Sequence, residues 1–200
     1  KHVEERAEQN IPPLPLDADQ TSELIELLKK DHQESDFLLD LLKERVPAGV
    51  DQAAYVKAAF LADITTGKAS SPYITKIDAV KILGTMLGGY NIQPLIECLK
   101  DNELAEAAAH VLSRTLLIFD AFNEIFELSK TNEHAKKVVE EWANATWFTE
   151  KTDIKEQIKL TVYKVTGEIN TDDLSPAPDA WSRPDIPLHA LAMFKMPRTG

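Results

Sequence analysis

The sequence predicts a mainly α-helical chain that opens a small β-containing unit near its C-terminal end. Three observations predict this. Apolar residues recur at helical spacing through successive segments of about 9 to 17 residues. Proline, glycine and small polar residues punctuate those segments at short intervals. From residue 157 the hydrophobic period changes from that of a helix to that of a strand.

Taken in order, Lys1–Gln9 reads as one charged, exposed helix, broken by Ile11-Pro12-Pro13-Leu14-Pro15, an extended spacer. Asp17 or Asp19 caps a helix over roughly 20–30, with Leu24, Ile25, Leu27 and Leu28 as its apolar stripe. Ser35 or Asp36 caps the next, carrying Phe37, Leu38, Leu41 and Leu42 and ended by Pro47-Ala48-Gly49. Asp51 opens a third, with Ala54, Tyr55, Ala58, Ala59, Leu61 and Ala62, stopped near Gly67. After Ser70-Ser71-Pro72, a helix holding Ile77, Val80, Ile82, Leu83, Met86 and Leu87 is expected to reach Gly88-Gly89. Helices over Ile92–Leu99, Asn102–Ile118, Phe119–Leu128 and Glu133–Trp142 follow. Short breaks make antiparallel helix pairs the simplest packing, either an α-solenoid of the HEAT type or an irregular bundle. Ile158, Leu160, Val162 and Val165 then alternate with Thr161, Tyr163 and Thr166, the pattern of a strand, and Leu188–Phe194 reads as the start of a helix. The expected division is a helical domain over 1–156 and the incomplete beginning of a second domain over 157–200.

The hydrophobic share of 44% and charged share of 28% are those of a soluble globular protein. No apolar run approaches the roughly 18 residues that cross a bilayer, and Lys1–Asn10 has no signal-peptide core. No membrane association is expected, and cytoplasm is the expected compartment. The one cysteine, Cys98, closes no disulfide within the chain and cannot alone hold an iron–sulfur cluster or structural zinc. The net charge of −11 is uneven: residues 157–200 hold five basic and five acidic groups, so the whole surplus lies in 1–156. That argues against generic nucleic-acid binding by the helical part, because phosphate affinity comes mainly from basic groups.

The segment from Gly167 to His189 holds four of the eleven prolines, one arginine, four aspartates and Trp181. Proline restricts itself and the residue before it, so the four prolines leave the backbone of this segment few options. Arg183, between Ser182 and Pro184, has two readings. Its guanidinium fork is built to bind a carboxylate bidentately, or it is structural and pairs with Asp179 or Asp185. Asp172 and Asp173 are adjacent and suit the capping of a turn better than a shared site. Ser175 and Ser182 have no base beside them in sequence, and His189 reads as a packing or capping residue. His2, His32, His110 and His134 fit no metal spacing. Gly84-Thr85-Met86-Leu87-Gly88-Gly89-Tyr90-Asn91 lacks the spacing and lysine of a phosphate loop and reads as a helix end and turn.

The run Gly167-Glu168-Ile169-Asn170-Thr171-Asp172-Asp173-Leu174-Ser175-Pro176-Ala177-Pro178-Asp179-Ala180-Trp181-Ser182-Arg183-Pro184-Asp185-Ile186-Pro187 closely resembles the start of the swivel domain in the bacterial aconitase B family. Arg45-Val46-Pro47, Ala53-Ala54-Tyr55-Val56-Lys57-Ala58, Leu83-Gly84-Thr85-Met86 and Gly88-Gly89-Tyr90-Asn91-Ile92 look like that family's N-terminal HEAT-like domain. The resemblance spans the whole chain. It implies an aconitate hydratase, also acting on 2-methylisocitrate, that isomerises citrate to isocitrate through cis-aconitate at a [4Fe-4S] cluster. It implies that Arg183 is a substrate-carboxylate ligand and that Thr171, Asp172, Asp173, Ser175 and Ser182 shape its loop. The cluster cysteines and the other substrate ligands are expected beyond Gly200, so residues 1–200 alone are expected to bind no cluster and turn over no substrate. The resemblance further implies dimerisation through the helical domain and binding of messenger RNA by the cluster-free protein. A HEAT-type interaction module with no part in catalysis is the alternative.

Overall fold

A computed structural model describes residues 2–8, 13–115, 118, 121–150, 156–162, 164, 166–179 and 189–195. These are mainly α-helical, and no strand forms among the described residues.

Helix α1 (His2–Glu8) is followed by α2 (Ala18–Leu28). Asp17 caps α2: its carboxylate accepts from the Gln20 amide at 2.8 Å, while the Gln20 side chain accepts from the Asp17 amide at 3.2 Å. The buried stripe is Thr21, Leu24, Ile25 and Leu28. Leu27, expected within that stripe, is exposed, because a 100° step carries it off the 21–24–25–28 face. Helix α3 (Ser35–Asp40) starts without a side-chain cap from either Ser35 or Asp36; Glu34 stands at that position. It widens into a π-helical turn, Leu41–Arg45, that keeps Leu38, Leu42 and Val46 buried. At its end the Leu16 amide donates to the Arg45 carbonyl at 2.8 Å and Arg45 Nε donates to the Leu14 carbonyl at 3.0 Å. The proline spacer is thereby pinned to the helix end.

Helix α4 (Gln52–Thr66) is capped by Asp51, which accepts from the Ala53 amide at 2.8 Å, and is closed by Gly67 at φ 76°. It packs against α2 and against α5 (Lys76–Leu83). Tyr55 faces outward, edge-on to Tyr90 at 5.4 Å.

Helix α5 stops at Leu83, five residues short of the expected Gly88-Gly89, and the reasons are tertiary. A Cβ on Gly84 would lie 2.5 Å from a Val111 methyl. The Asn91 side chain donates to the carbonyls of Leu83 at 2.9 Å and Met86 at 3.0 Å. The Leu87 and Gly88 amides both turn to the Ala48 carbonyl, at 2.7 and 3.2 Å. The glycine-rich stretch is the expected turn, shaped by close backbone approach.

Helices α6 (Ile92–Cys98), α7 (Ala105–Leu112), α8 (Ala121–Leu128) and α9 (Glu133–Ala143) follow. Helix α7 is shorter than the expected Asn102–Ile118 at both ends. Asp101 accepts from the Glu103 and Leu104 amides and makes 101–104 a turn. At the other end Trp142 Nε1 takes the Leu112 carbonyl at 3.0 Å, and the Ser113 and Thr115 hydroxyls take those of His110 and Val111. Residues 116, 117, 119 and 120 of the expected helices lie outside the described residues. Asn132 caps α9 and donates to the Leu99 carbonyl at 2.8 Å, joining α9 to the end of α6. A short α10 (Thr146–Thr149) closes the series. One continuous apolar core runs from Leu24 in α2 to Val138 in α9.

The strand expected from residue 157 does not form among the described residues; Tyr163 and Val165 lie outside them. Ile158, Leu160 and Val162 are 66%, 75% and 86% exposed. The alternation is real, but a strand exists only against a partner ladder, and the described residues provide none. Beyond it, α11 (Thr171–Leu174) and 3-10 turns at Ala177–Asp179 and Ala190–Ala192 carry the remaining structure. Of the helix expected to start at Leu188–Phe194, His189 is helical, Ala190–Ala192 form the 3-10 turn, and Leu188 lies outside the described residues. No helix among the described residues is long and apolar enough to cross a membrane.

Candidate functional site

The proline-rich segment folds locally around α11. Asn170 is its cap: the side chain accepts from the Asp173 amide at 3.0 Å, and the Asp173 carboxylate accepts from the Asn170 amide at 3.0 Å. The adjacent carboxylates therefore diverge. Asp173 is committed to the cap while Asp172 is exposed in the first turn beside Thr171. The Ser175 amide closes the turn on the Thr171 carbonyl at 2.8 Å. Pro176 is buried beneath it, and the Asp179 amide donates to the Pro176 carbonyl at 3.0 Å.

Three contacts then join this turn to residues 189–195. Ser175 Oγ and His189 Nε2 lie 2.9 Å apart in hydrogen-bond contact. The Phe194 amide donates to the Asp173 carbonyl at 2.7 Å. Lys195 Nζ reaches Asp179 Oδ1 at 2.9 Å, on a carboxylate that is 7% exposed. Phe194 adopts φ 53° and is buried, as is Ala192. Arg6 of α1 donates to the Met193 carbonyl at 3.1 Å, tying the helical body to this cluster. Arg6 also lies near Arg45, whose guanidinium is held below the ordinary arginine value first by burial and then by the Arg6 charge.

Of the residues singled out in the sequence, Thr171, Asp172, Asp173 and Ser175 share this cluster; Arg183 and Ser182 lie outside the described residues. His189 was missed as a partner of Ser175. Only its place 14 residues on, past a proline-rich turn, hinted that the chain doubles back. Lys195, Phe194 and Arg6 carried no signal, since their partners are backbone groups or residues far along the chain.

Cys98 is buried on the α6 face, and burial raises its thiol pKa. A lone protonated thiol is the wrong donor set for an iron–sulfur cluster, and no group of three metal-ligating side chains gathers among the described residues. The residues present do not fit that group. Lys57 in α4 is 1% exposed, and burial lowers its ammonium to about 8, opposed by the charge of Glu44. A cavity of about 270 Å³ between α3 and α5, lined in part by Lys43, Tyr73 and Lys81, involves none of residues 171–195.

Residues 1–148 match the family model described as "Aconitate B N-terminal domain". The chain belongs to the aconitase B family. A second model of the same enzyme type, "Aconitate hydratase 2 N-terminus", matches residues 160–200, the part holding the α11 cluster. Among curated relatives, "Aconitate hydratase B" of Escherichia coli K12 is 59% identical over 202 residues, covering 100% of this chain and 23% of its own length. The protein of the same name from Pseudomonas aeruginosa is also 59% identical, with the same coverage. That of Helicobacter pylori is 50% identical over 197 residues, covering 98% of this chain and 23% of its own. The chain thus spans about 23% of the length of these aconitase B relatives.

Proposed function

We propose that the chain is the N-terminal part of an aconitate hydratase that interconverts citrate and isocitrate through cis-aconitate. Dehydration removes a hydroxyl and a neighbouring proton as water and leaves the double bond of cis-aconitate; rehydration returns them in the exchanged positions. The observation that carries this reading is identity of 59% along 100% of the chain to proteins named for that activity. In this reading residues 1–156 form a HEAT-like docking domain and 157–200 begin a swivel domain.

Arg183 is the substrate contact this chain contributes. A tricarboxylate needs fixed cations, and an arginine between Ser182 and Pro184 offers a bidentate fork whose backbone is restrained on its C-terminal side. Thr171, Asp172, Asp173 and Ser175 shape the turn that precedes it, with Ser182 next to it. The [4Fe-4S] cluster that the family implies is held by residues outside 1–200, and the chemistry at the cluster is theirs. Citrate dehydration by the full-length protein, compared with its Arg183→Ala variant, tests the reading. Activity on 2-methylisocitrate and a cytoplasmic location belong to the same proposal.

A second reading, a docking surface that recruits a second copy or a partner enzyme, is favoured by the exposed aromatics of the helical body. Phe122 stacks on Phe126 at 6.1 Å and on Trp142 at 5.8 Å, and both phenylalanines are 44% exposed. Messenger-RNA binding draws no support from this chain, whose negative surplus lies wholly in residues 1–156.

A further inference from the structure

The cavity between α3 and α5 lies apart from the α11 cluster, and its lining is divided by chemistry. Leu39, Ile74 and Ile82 supply an apolar floor, with both isoleucines buried and Leu39 half-buried. Lys43 and Lys81 are exposed and stand at the mouth. Neither lysine makes an ion pair among the described residues. The other two polar residues of the lining are already committed. Asp78 accepts from the Thr75 amide at 3.1 Å and from the Thr75 hydroxyl at 2.5 Å, inside the α5 cap. Its carboxyl is held below the ordinary value first by the Thr75 hydrogen bond and, less strongly, by the charges of Lys81 and Lys43. Both ammonium groups therefore act on one spot. The Tyr73 hydroxyl lies 2.7 Å from Asp31 Oδ1 and 3.0 Å from the His32 carbonyl, so Tyr73 lends the cavity its ring. Lys43 belongs to the π-helical turn Leu41–Arg45, and widened turns of this kind are rare and recur at functional sites. The volume of about 270 Å³ falls just below the roughly 300–1,000 Å³ typical of small-molecule sites.

We propose that this cavity binds a small organic anion, its apolar body on Leu39, Ile74 and Ile82 and its anionic head between Lys43 and Lys81. In a chain of net charge −11, two unpaired ammonium groups over an apolar floor are a local reversal of sign. An ammonium is a compact point charge without the fork of a guanidinium, so the pair selects for charge and not for head-group shape. A carboxylate or a phosphate head satisfies it equally. The apolar floor is what separates an organic anion from a free inorganic one. The site is independent of Arg183 and of citrate turnover.

The test uses the full-length protein with benzoate as the probe, in saturating citrate so that the proposed substrate site is occupied. Saturation-transfer NMR is expected to show benzoate bound at millimolar concentration. Lys43→Met and Lys81→Met are each expected to weaken that binding by a factor of about three to ten, the value of one charge contact near a surface. Both lysines are exposed, so neither substitution is expected to unfold the chain. The double variant is expected to give no benzoate signal, while Lys68→Met, an exposed lysine outside the lining, binds as the parent does. Benzyl alcohol, a ring without the charge, and inorganic phosphate, a charge without the ring, are each expected to displace little benzoate. No signal in the parent, or equal binding in parent and double variant, overturns the proposal. Displacement by equimolar phosphate also overturns it, since the floor then selects nothing. Displacement by equimolar benzyl alcohol overturns it as well, since the lysines then have no part in binding.

Discussion

A Cβ added to Gly88 would fall 2.0 Å from the carbonyl oxygen of Gly49. The two backbones meet there because the Leu87 and Gly88 amides both donate to the Ala48 carbonyl, which holds the turn after α5 against the turn before α4. No side-chain rotation relieves a clash with backbone, so Gly88→Ala must displace one turn or the other. Its expected cost is more than about 2 kcal/mol. Gly89 has φ 90° and open space around its missing Cβ, so Gly89→Ala carries only conformational strain, about 1–2 kcal/mol. Urea unfolding of the two variants should rank Gly88→Ala as the more damaging.

Trp142 terminates α7 from a distance. Its Nε1–H takes the last carbonyl of that helix, on Leu112, while its ring stacks on Phe122. Trp142→Phe keeps an aromatic ring and removes the donor, and is expected to cost about 0.5–1.5 kcal/mol, the value of one hydrogen bond, because the Leu112 carbonyl still accepts from the Thr115 amide at 3.1 Å. A variant as stable as the parent in denaturant would show that the Thr115 amide alone satisfies that carbonyl.

Lys57 gives a pH-dependent prediction with a definite sign. Its ammonium is lowered to about 8 in the folded chain by burial, against about 10.4 in an unfolded one. The unfolded state therefore binds the proton more tightly, and the lysine's destabilising contribution is fully present below pH 8. It fades as pH rises from about 8 toward the unfolded value. Lys57→Met, which keeps the buried stem, is expected to be more stable than the parent at pH 7, by on the order of 2–3 kcal/mol. That advantage should shrink between about pH 8 and pH 10.5. A stability difference that is flat across that range would show that Lys57 stays charged in the folded chain.

Much of the fold was legible because local chemistry decided it. Asp51 and Gly67 bound α4, Asp17 caps α2, and Asp173 takes part in the cap of α11, all through contacts within four residues. The failures are tertiary. The end of α5 is set by Val111, Asn91 and Ala48, and the end of α7 by Trp142. The period-two pattern at Ile158–Val162 marks a strand that only a partner ladder would form. In the site, the Thr171–Ser175 turn was readable from its capping residues. The Ser175–His189 and Asp179–Lys195 contacts were not, since spacings of 14 and 16 residues obey no local rule.

The central claim, that this chain supplies a substrate-carboxylate arginine to an aconitate hydratase, rests on Arg183. The most direct measurement is citrate dehydration to cis-aconitate, followed by absorbance, in the full-length protein and its Arg183→Ala variant. Loss of a buried bidentate contact to a carboxylate is worth about 2–5 kcal/mol, so kcat/KM should fall by a factor on the order of 30 or more. A variant with the parent's kcat/KM for citrate would contradict the claim.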